Sequence, residues 1–186
     1  MDLIAALKAY HPWNTQEARD REVLLRRLES GEPLYGRENL SAHLTASAWV
    51  VSPDRTKVLL AHHNLYNSWA WLGGHADGET DLLAVAVREA KEESGLTDIH
   101  PVSENIFSVE ILAVNGHEKH GQYVPSHLHL NVTFLLEANP TGILFCRPGE
   151  NSQVAWFSQN EVLAVSAEPW FRDRIYRKLN EKTAYL

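Results

Sequence analysis

The sequence predicts a mixed α/β sandwich. Strand-like alternation stands before and after a single central helical segment, and further helical segments occupy both ends. At 186 residues, 44% hydrophobic and 22% charged, the chain can bury one substantial core. It contains neither an internal repeat nor a low-complexity linker.

Taken in order, residues 2–10 form a short helix stopped by His11-Pro12. Asn14 or Thr15 caps a second helix that runs to Ser30 and ends at Gly31. Val23, Leu24 and Leu28 supply its apolar side, and Arg19, Arg21, Arg26 and Arg27 its wet side. Residues 1–40 read as a helical extension packed on the outside of a core domain spanning 41–186. In "HLTASAWVV" (43–51), Leu44, Ala46, Ala48 and Val50 alternate with His43, Thr45 and Ser47, as in a strand. "SPDRT" is a turn and "KVLLAHH" the second strand of a hairpin; "NLYNSW" is a loop, and "AWL" leads into two glycines. After the central helix, "NIFSVEILAVN" (105–115) is a strand and "GHEKHGQYVP" a polar loop. "HLHLNVTFLL" (127–136) alternates His127, His129, Asn131 and Thr133 with Leu128, Leu130, Val132 and Phe134, giving one polar and one core face. "QVAWF" is a last short strand. Ser158 and Glu161 form a capping box, and Pro169 suits the first turn of a final helix.

A net charge of −7 argues against general or duplex nucleic-acid binding, which needs a basic stripe. It favours a cation as the means of binding an anionic substrate. A single cysteine, Cys146, excludes an intramolecular disulfide and a cysteine-rich zinc site. No apolar run reaches the roughly 18 residues of a membrane span. Asp2 and Pro12 interrupt any signal-peptide pattern, so the expected location is the cytoplasm.

The central helix carries the chemistry. Thr80 is the expected N-cap, with Asp81 in the first turn at the positive end of the helix dipole. Glu89, Glu92 and Glu93 fall on one narrow stripe that continues the apolar line of Leu82, Val85 and Ala86. A solvated acidic face would continue a polar line instead. Lys91 lies on the far side and Arg88 alone is near, so the acids repel one another unless a hard divalent cation joins them. Gly73 and Gly74, lacking side chains, let backbone approach a metal or phosphate.

"REAKEESGL" (88–96) resembles the second half of the Nudix box, G-x5-E-x7-R-E-U-x-E-E-x-G-U, with Ala90 at the first aliphatic position. The first half departs: counting back from Arg88 makes Gly74 the box glycine, yet Thr80 stands where a glutamate belongs and Glu79 comes one residue early. The resemblance implies an α/β/α sandwich with a mixed sheet and a hydrolase that cleaves nucleoside diphosphates linked to another moiety, using Mg²⁺ or Mn²⁺. Carried over, Glu89, Glu92 and Glu93 become catalytic metal ligands, helped by the Gly74 carbonyl, while Arg88 orients the glutamates. The general base is Glu89 or Glu150. The family also admits a homodimer.

Around this centre, His43, Thr45 and Ser47 with His129, Asn131 and Thr133 are expected to line a polar cleft. His75 stands near phosphate, and Trp69 and Trp71 either stack a base or join the core. His127 and His129 share a strand face, as two zinc ligands would, but spacing fixes no third ligand, and His117 and His120 sit in the polar loop. Other readings are a nucleotide sensor of the same fold that does not hydrolyse, isomerase chemistry through Cys146, and an acidic helix without a site. The first 40 residues show no helix-turn-helix and no basic face for a regulator.

Overall fold

A computed structural model of the chain describes residues 2–64, 67–119 and 121–186. Two helices, α1 (Leu3–Ala9) and α2 (Thr15–Glu29), precede strands β1 (Ala42–Val51), β2 (Lys57–His63), β3 (Ser68–Ala70) and β4 (Leu72–His75). Helix α3 (Leu82–Ser94) leads to β5 (Ile99–Pro101), β6 (Ser108–Val114), β7 (His117–Lys119), β8 (Gln122–Val124), β9 (His127–Ala138) and β10 (Asn151–Ser158). The chain closes with α4 (Gln159–Val165), a π-helical segment Phe171–Tyr176, and α5 (Arg177–Ala184).

The expected mixed sheet has eight strands along the path β10-β2-β1-β9-β5, with β3 added to β2, β4 to β1 and β6 to β9. β1 and β9 run parallel, whereas β4 and β6 are antiparallel to them. Because alternate residues share a face, one face of β1 and β9 is continuously apolar: Leu44, Ala46, Ala48 and Val50 pack with Leu130, Val132, Phe134 and Leu136 against Leu82, Val85, Ala86 and Ala90 of α3. The opposite face changes character along its length. Its far half, with Trp49, Val51 and Leu135, is covered by Val162, Ile175, Tyr176 and Leu179 of the C-terminal helices. Its near half carries the polar residues of both strands and is left open as a cleft.

Several boundaries differ from expectation for physical reasons. β3 and β4 are one extended stretch that changes partner at Trp71, from β2 to β1. The polar loop after β6 holds the small ribbon β7–β8. His120 lies outside the described residues, as do Leu65 and Tyr66 of the "NLYNSW" loop. Asp81, not Thr80, caps α3, its carboxylate accepting from the Ala84 amide, while Glu79 accepts from the Asp81 amide. Gly95 ends α3 at φ +73°, where a Cβ would also meet Phe145. The Ser158–Glu161 capping box is present.

α2 does more than cover the outside. It runs along the free edge of β6, where Gln16 donates to the Val109 carbonyl and Asp20 accepts from the Ile111 amide, so two of the outward ladder groups are paired. Glu17 and Leu24 are buried and Val23 is exposed, which turns the expected apolar stripe by a residue. Arg19 and Arg26 face water beside Glu22, but Arg21 donates to the Leu7 and Lys8 carbonyls at the end of α1, and Arg27 pairs with Glu32.

Candidate active site

The second half of α3 lies beside β4, and Gly74 makes the approach possible. A Cβ there would stand 2.6 Å from Glu89 Cδ. At Gly73 a Cβ would meet the Ala46 carbonyl oxygen at 2.5 Å and Ser47 Cα at 2.8 Å. The paired glycines therefore let strand, helix and carboxylates close up without side chains between them.

Glu93 is buried, and the nearby Gly73 amide favours its charged form. Burial pushes its carboxyl well above the usual range, reinforced by the negative charges of Glu89 and Glu150. Glu89 is largely buried, with its side chain 13% exposed, and Glu92 stands at the rim at 41%. Arg88 donates to Glu89 at 2.9 Å and lies 4.0 Å from Glu92. Among the described residues it makes no ion pair with Glu79, which instead holds the start of α3.

A second arginine reaches the acids from the opposite side. Arg147 Nη1 lies 3.3 Å from Glu89, 2.9 Å from Glu92 and 3.1 Å from Glu150. Its loop is fixed by Asn151, whose carbonyl oxygen accepts from the Arg147 amide and whose amide donates to the Glu93 carbonyl. Arg147 was not anticipated from sequence, since it has no spacing relation to α3; the contacts that join them, its ion pairs and the buried Asn151 side chain, are made only in the fold. Arg37, also unanticipated, makes a bidentate pair with Asp77 at 2.6 Å on the cleft wall.

The cleft occupies about 910 Å³ and is lined by Glu89, Glu93, Glu150, Gly73, Gly74, Arg37, Arg147 and the polar face of the sheet. Strand register supplies that face: His43 pairs with His129 and Thr45 with Asn131 between β1 and β9, and Thr45 stands opposite His75 on β4. The Asn131 carbonyl oxygen accepts from Thr45 and Ser47, and its amide donates to Glu110 and Thr133. Thr133 is fully buried below the cleft and does not line it. His129 is driven down to about 2 by burial and by the neighbouring histidines, so it is a neutral imidazole. His43 is likewise lowered, chiefly by burial.

At the far wall, Trp71 stands edge-on to Phe171 at 6.2 Å, and its backbone amide donates to the Tyr176 hydroxyl. Trp69 packs against Phe157 and does not line the cleft. Cys146 is exposed and also absent from the lining.

Below the cleft, Glu110 continues from Asn131 into a buried ionic network. Lys178 Nζ lies 2.8 Å from Glu110 and 3.2 Å from Glu17, and Lys182 lies 2.9 Å from Glu17. Ser108 Oγ lies within hydrogen-bond reach of both acids. α2, β6 and α5 are thereby joined through charge as well as apolar contact.

A mixed sheet thus lies between helices, and a glycine pair places clustered helix carboxylates at an open cleft. The chain belongs to the NUDIX domain family, whose model matches residues 42–179. Solved structures of the same fold include a Caenorhabditis elegans Ap4A hydrolase, 18% identical over 76% of this chain and 95% of that one, with TM-score 0.53. A NUDIX-family hydrolase from Clostridium perfringens is 20% identical over 77% and 97%, with TM-score 0.55. The Escherichia coli dihydroneopterin triphosphate pyrophosphohydrolase is 14% identical over 78% and 96%, with TM-score 0.57. Comparison with curated proteins gives no match. Among the described residues, no helix is long and apolar enough to cross a membrane.

Proposed function

We propose that the protein is a divalent-cation-dependent pyrophosphohydrolase that cleaves the diphosphate linkage of a nucleoside diphosphate derivative. The observation that carries this reading is the convergence of Glu89, Glu93 and Glu150 on one cleft at the Gly73-Gly74 pair. The donor set fits a hard cation. Burial and neighbouring negative charge both oppose ionisation of Glu93, a cost that a dication offsets, and carboxylate oxygens are the ligands that Mg²⁺ and Mn²⁺ prefer.

Glu89, Glu92 and Glu93 would hold the cation together with the Gly74 backbone. When bound, it neutralises the diphosphate and acidifies water beside phosphorus. The remaining work falls to the chain. Arg88 braces Glu89 and Glu92 from outside the cleft. Arg147 and Arg37 line the cleft, each paired with acids, and partly offset the negative charge that an anionic substrate meets there. A carboxylate oxygen of Glu89 or Glu150 takes the proton of the attacking water, which adds to phosphorus as the bridging oxygen departs. His75 and His129 form the polar floor, and Trp71 offers its ring to the nucleoside.

The test is product release from a panel of nucleoside diphosphate derivatives, with Mg²⁺ or Mn²⁺ and with EDTA. Metal-dependent cleavage of at least one member is expected. Tight binding across the panel without turnover would replace the reading by that of a nucleotide sensor.

A further inference from the structure

The carboxylates of α3 leave unexplained the histidines that share the cleft. His43, His75 and His129 come from three different strands, and one nitrogen of each lies within 4.8 Å of the other two. His75 Nε2 and His129 Nε2 are 3.2 Å apart, and His127 Nε2 lies 3.2 Å from the same His129 nitrogen. Two imidazoles bound to one tetrahedral Zn²⁺ at about 2.0–2.1 Å have nitrogens about 3.3 Å apart. The His75–His129 spacing is already that of two ligands around a common centre, and His43 is the third ring within 4.8 Å of both.

One of the three outer nitrogens, that of His43, is arranged accordingly, and so is that of the neighbouring His127. His127 Nδ1 lies 2.8 Å from the Pro125 carbonyl and His43 Nδ1 3.5 Å from the Asn39 carbonyl. A carbonyl only accepts, so a proton on His43 Nδ1 facing Asn39 leaves the His43 Nε2 with its lone pair. Carbonyls that orient an imidazole in this way recur behind metal-ligating histidines. His43 is 6% exposed, and its Nε2 is buried without a hydrogen-bond partner. A buried lone pair aimed among other imidazoles lacks a cation or a donor, and neutral rings are the form that binds metal.

We propose that His43, His75 and His129 form a binding site for one late first-row dication of the Zn²⁺ class, distinct from the carboxylate site on α3. Three imidazoles leave a fourth position, which faces the cleft and suits an anionic oxygen of a ligand. Nitrogen donors select such an ion over Mg²⁺, which the carboxylates take, so one cleft offers two sites of different hardness. The inference rests on the histidines alone and stands whether or not the chain hydrolyses a diphosphate.

The experiment titrates the full chain with Co²⁺, as a spectroscopic substitute for Zn²⁺, in excess Mg²⁺. Wild type is expected to bind one equivalent, with the intense visible band of a low-coordinate nitrogen-ligated ion, and Zn²⁺ to abolish that band by competition. His43→Gln, His75→Gln and His129→Gln should each weaken binding by more than about tenfold. Glu93→Gln should leave the band unchanged, and circular dichroism checks each fold. Substoichiometric binding by folded wild type would overturn the site without recourse to any variant. So would a band that survives in folded histidine variants, or one lost in Glu93→Gln.

Discussion

The buried network under the cleft makes a demanding prediction about Glu17. One carboxylate oxygen accepts from Ser108 and lies 2.9 Å from Lys182 and 3.2 Å from Lys178; the other accepts from the Tyr10 hydroxyl at 2.5 Å and the Trp13 amide at 2.7 Å. The two ammonium groups on one side and the Trp13 amide on the other can only donate. In Glu17→Gln the amide nitrogen must therefore face donors whichever way the side chain turns, and two buried ammonium groups are left with Glu110 as the remaining acid. Removing one partner of a buried ion pair costs about 3–5 kcal/mol, and a chain of this length shifts by about 2–4 °C per kcal/mol. The midpoint of thermal unfolding at pH 7 should fall by roughly 6–20 °C.

The pH dependence has a definite sign. Burial alone would raise the Glu17 carboxyl, but Lys178 and Lys182 together hold it below its ordinary value. Its stabilising contribution is thus present above the unfolded value and is lost as pH falls through the folded one. The difference between wild type and Glu17→Gln should narrow in acid. Adding Lys182→Met to Glu17→Gln should recover part of the loss, because an unpaired ammonium is removed. The exposed Glu22→Gln serves as the control and should leave the midpoint where it is. A fall below about 2 °C for Glu17→Gln would refute the claim that these charges join α2 to the core.

Other consequences follow from single contacts. Glu93→Gln should raise the unfolding midpoint in EDTA at neutral pH. The carboxyl is held above its unfolded value, so its ionisation opposes folding once pH exceeds that value, and the amide removes this cost; an unchanged or lower midpoint would count against it. Gly74→Ala should keep the fold and weaken Mn²⁺ binding measured by electron paramagnetic resonance, since the new methyl displaces a movable Glu89 side chain. Gly73→Ala, which would strike backbone atoms of β1, should lower soluble yield and stability. Asn131→Asp should lose more stability than Asn131→Ala in denaturant titration, by about 1–3 kcal/mol, because a carboxylate would replace the amide that donates to Glu110.

The sequence and the structure meet most closely where chemistry is local. The α3 stripe, the alternation of β1 and β9 and the Ser158 capping box depend on residues a turn or a pleat apart, and all were legible. Register was not. Nothing in "HLTASAWVV" or "HLHLNVTFLL" says that the two strands run parallel with His43 beside His129, or that β4 brings in His75; a two-histidine motif becomes a three-strand cluster only in the sheet. Arg147 and Arg37 arrive from loops through contacts made 58 and 40 residues away. Glu17 reads as an ordinary helix acid because its lysines lie more than 160 residues further on. The displaced Glu79 shows the converse: the mismatch with the box was visible in sequence, and the residue is found holding the Asp81 amide.

The central claim is that the α3 carboxylates bind a divalent cation for attack on a diphosphate. Its most direct test is the initial rate of hydrolysis as Mg²⁺ is titrated into wild type and Glu93→Gln, with the best substrate of the panel. The predicted result is a saturable, EDTA-sensitive rate in wild type and a loss of at least about 100-fold in a folded Glu93→Gln, the scale on which removing a transition-state electrostatic contact acts. Equal rates in the two proteins, or turnover indifferent to Mg²⁺, would contradict it.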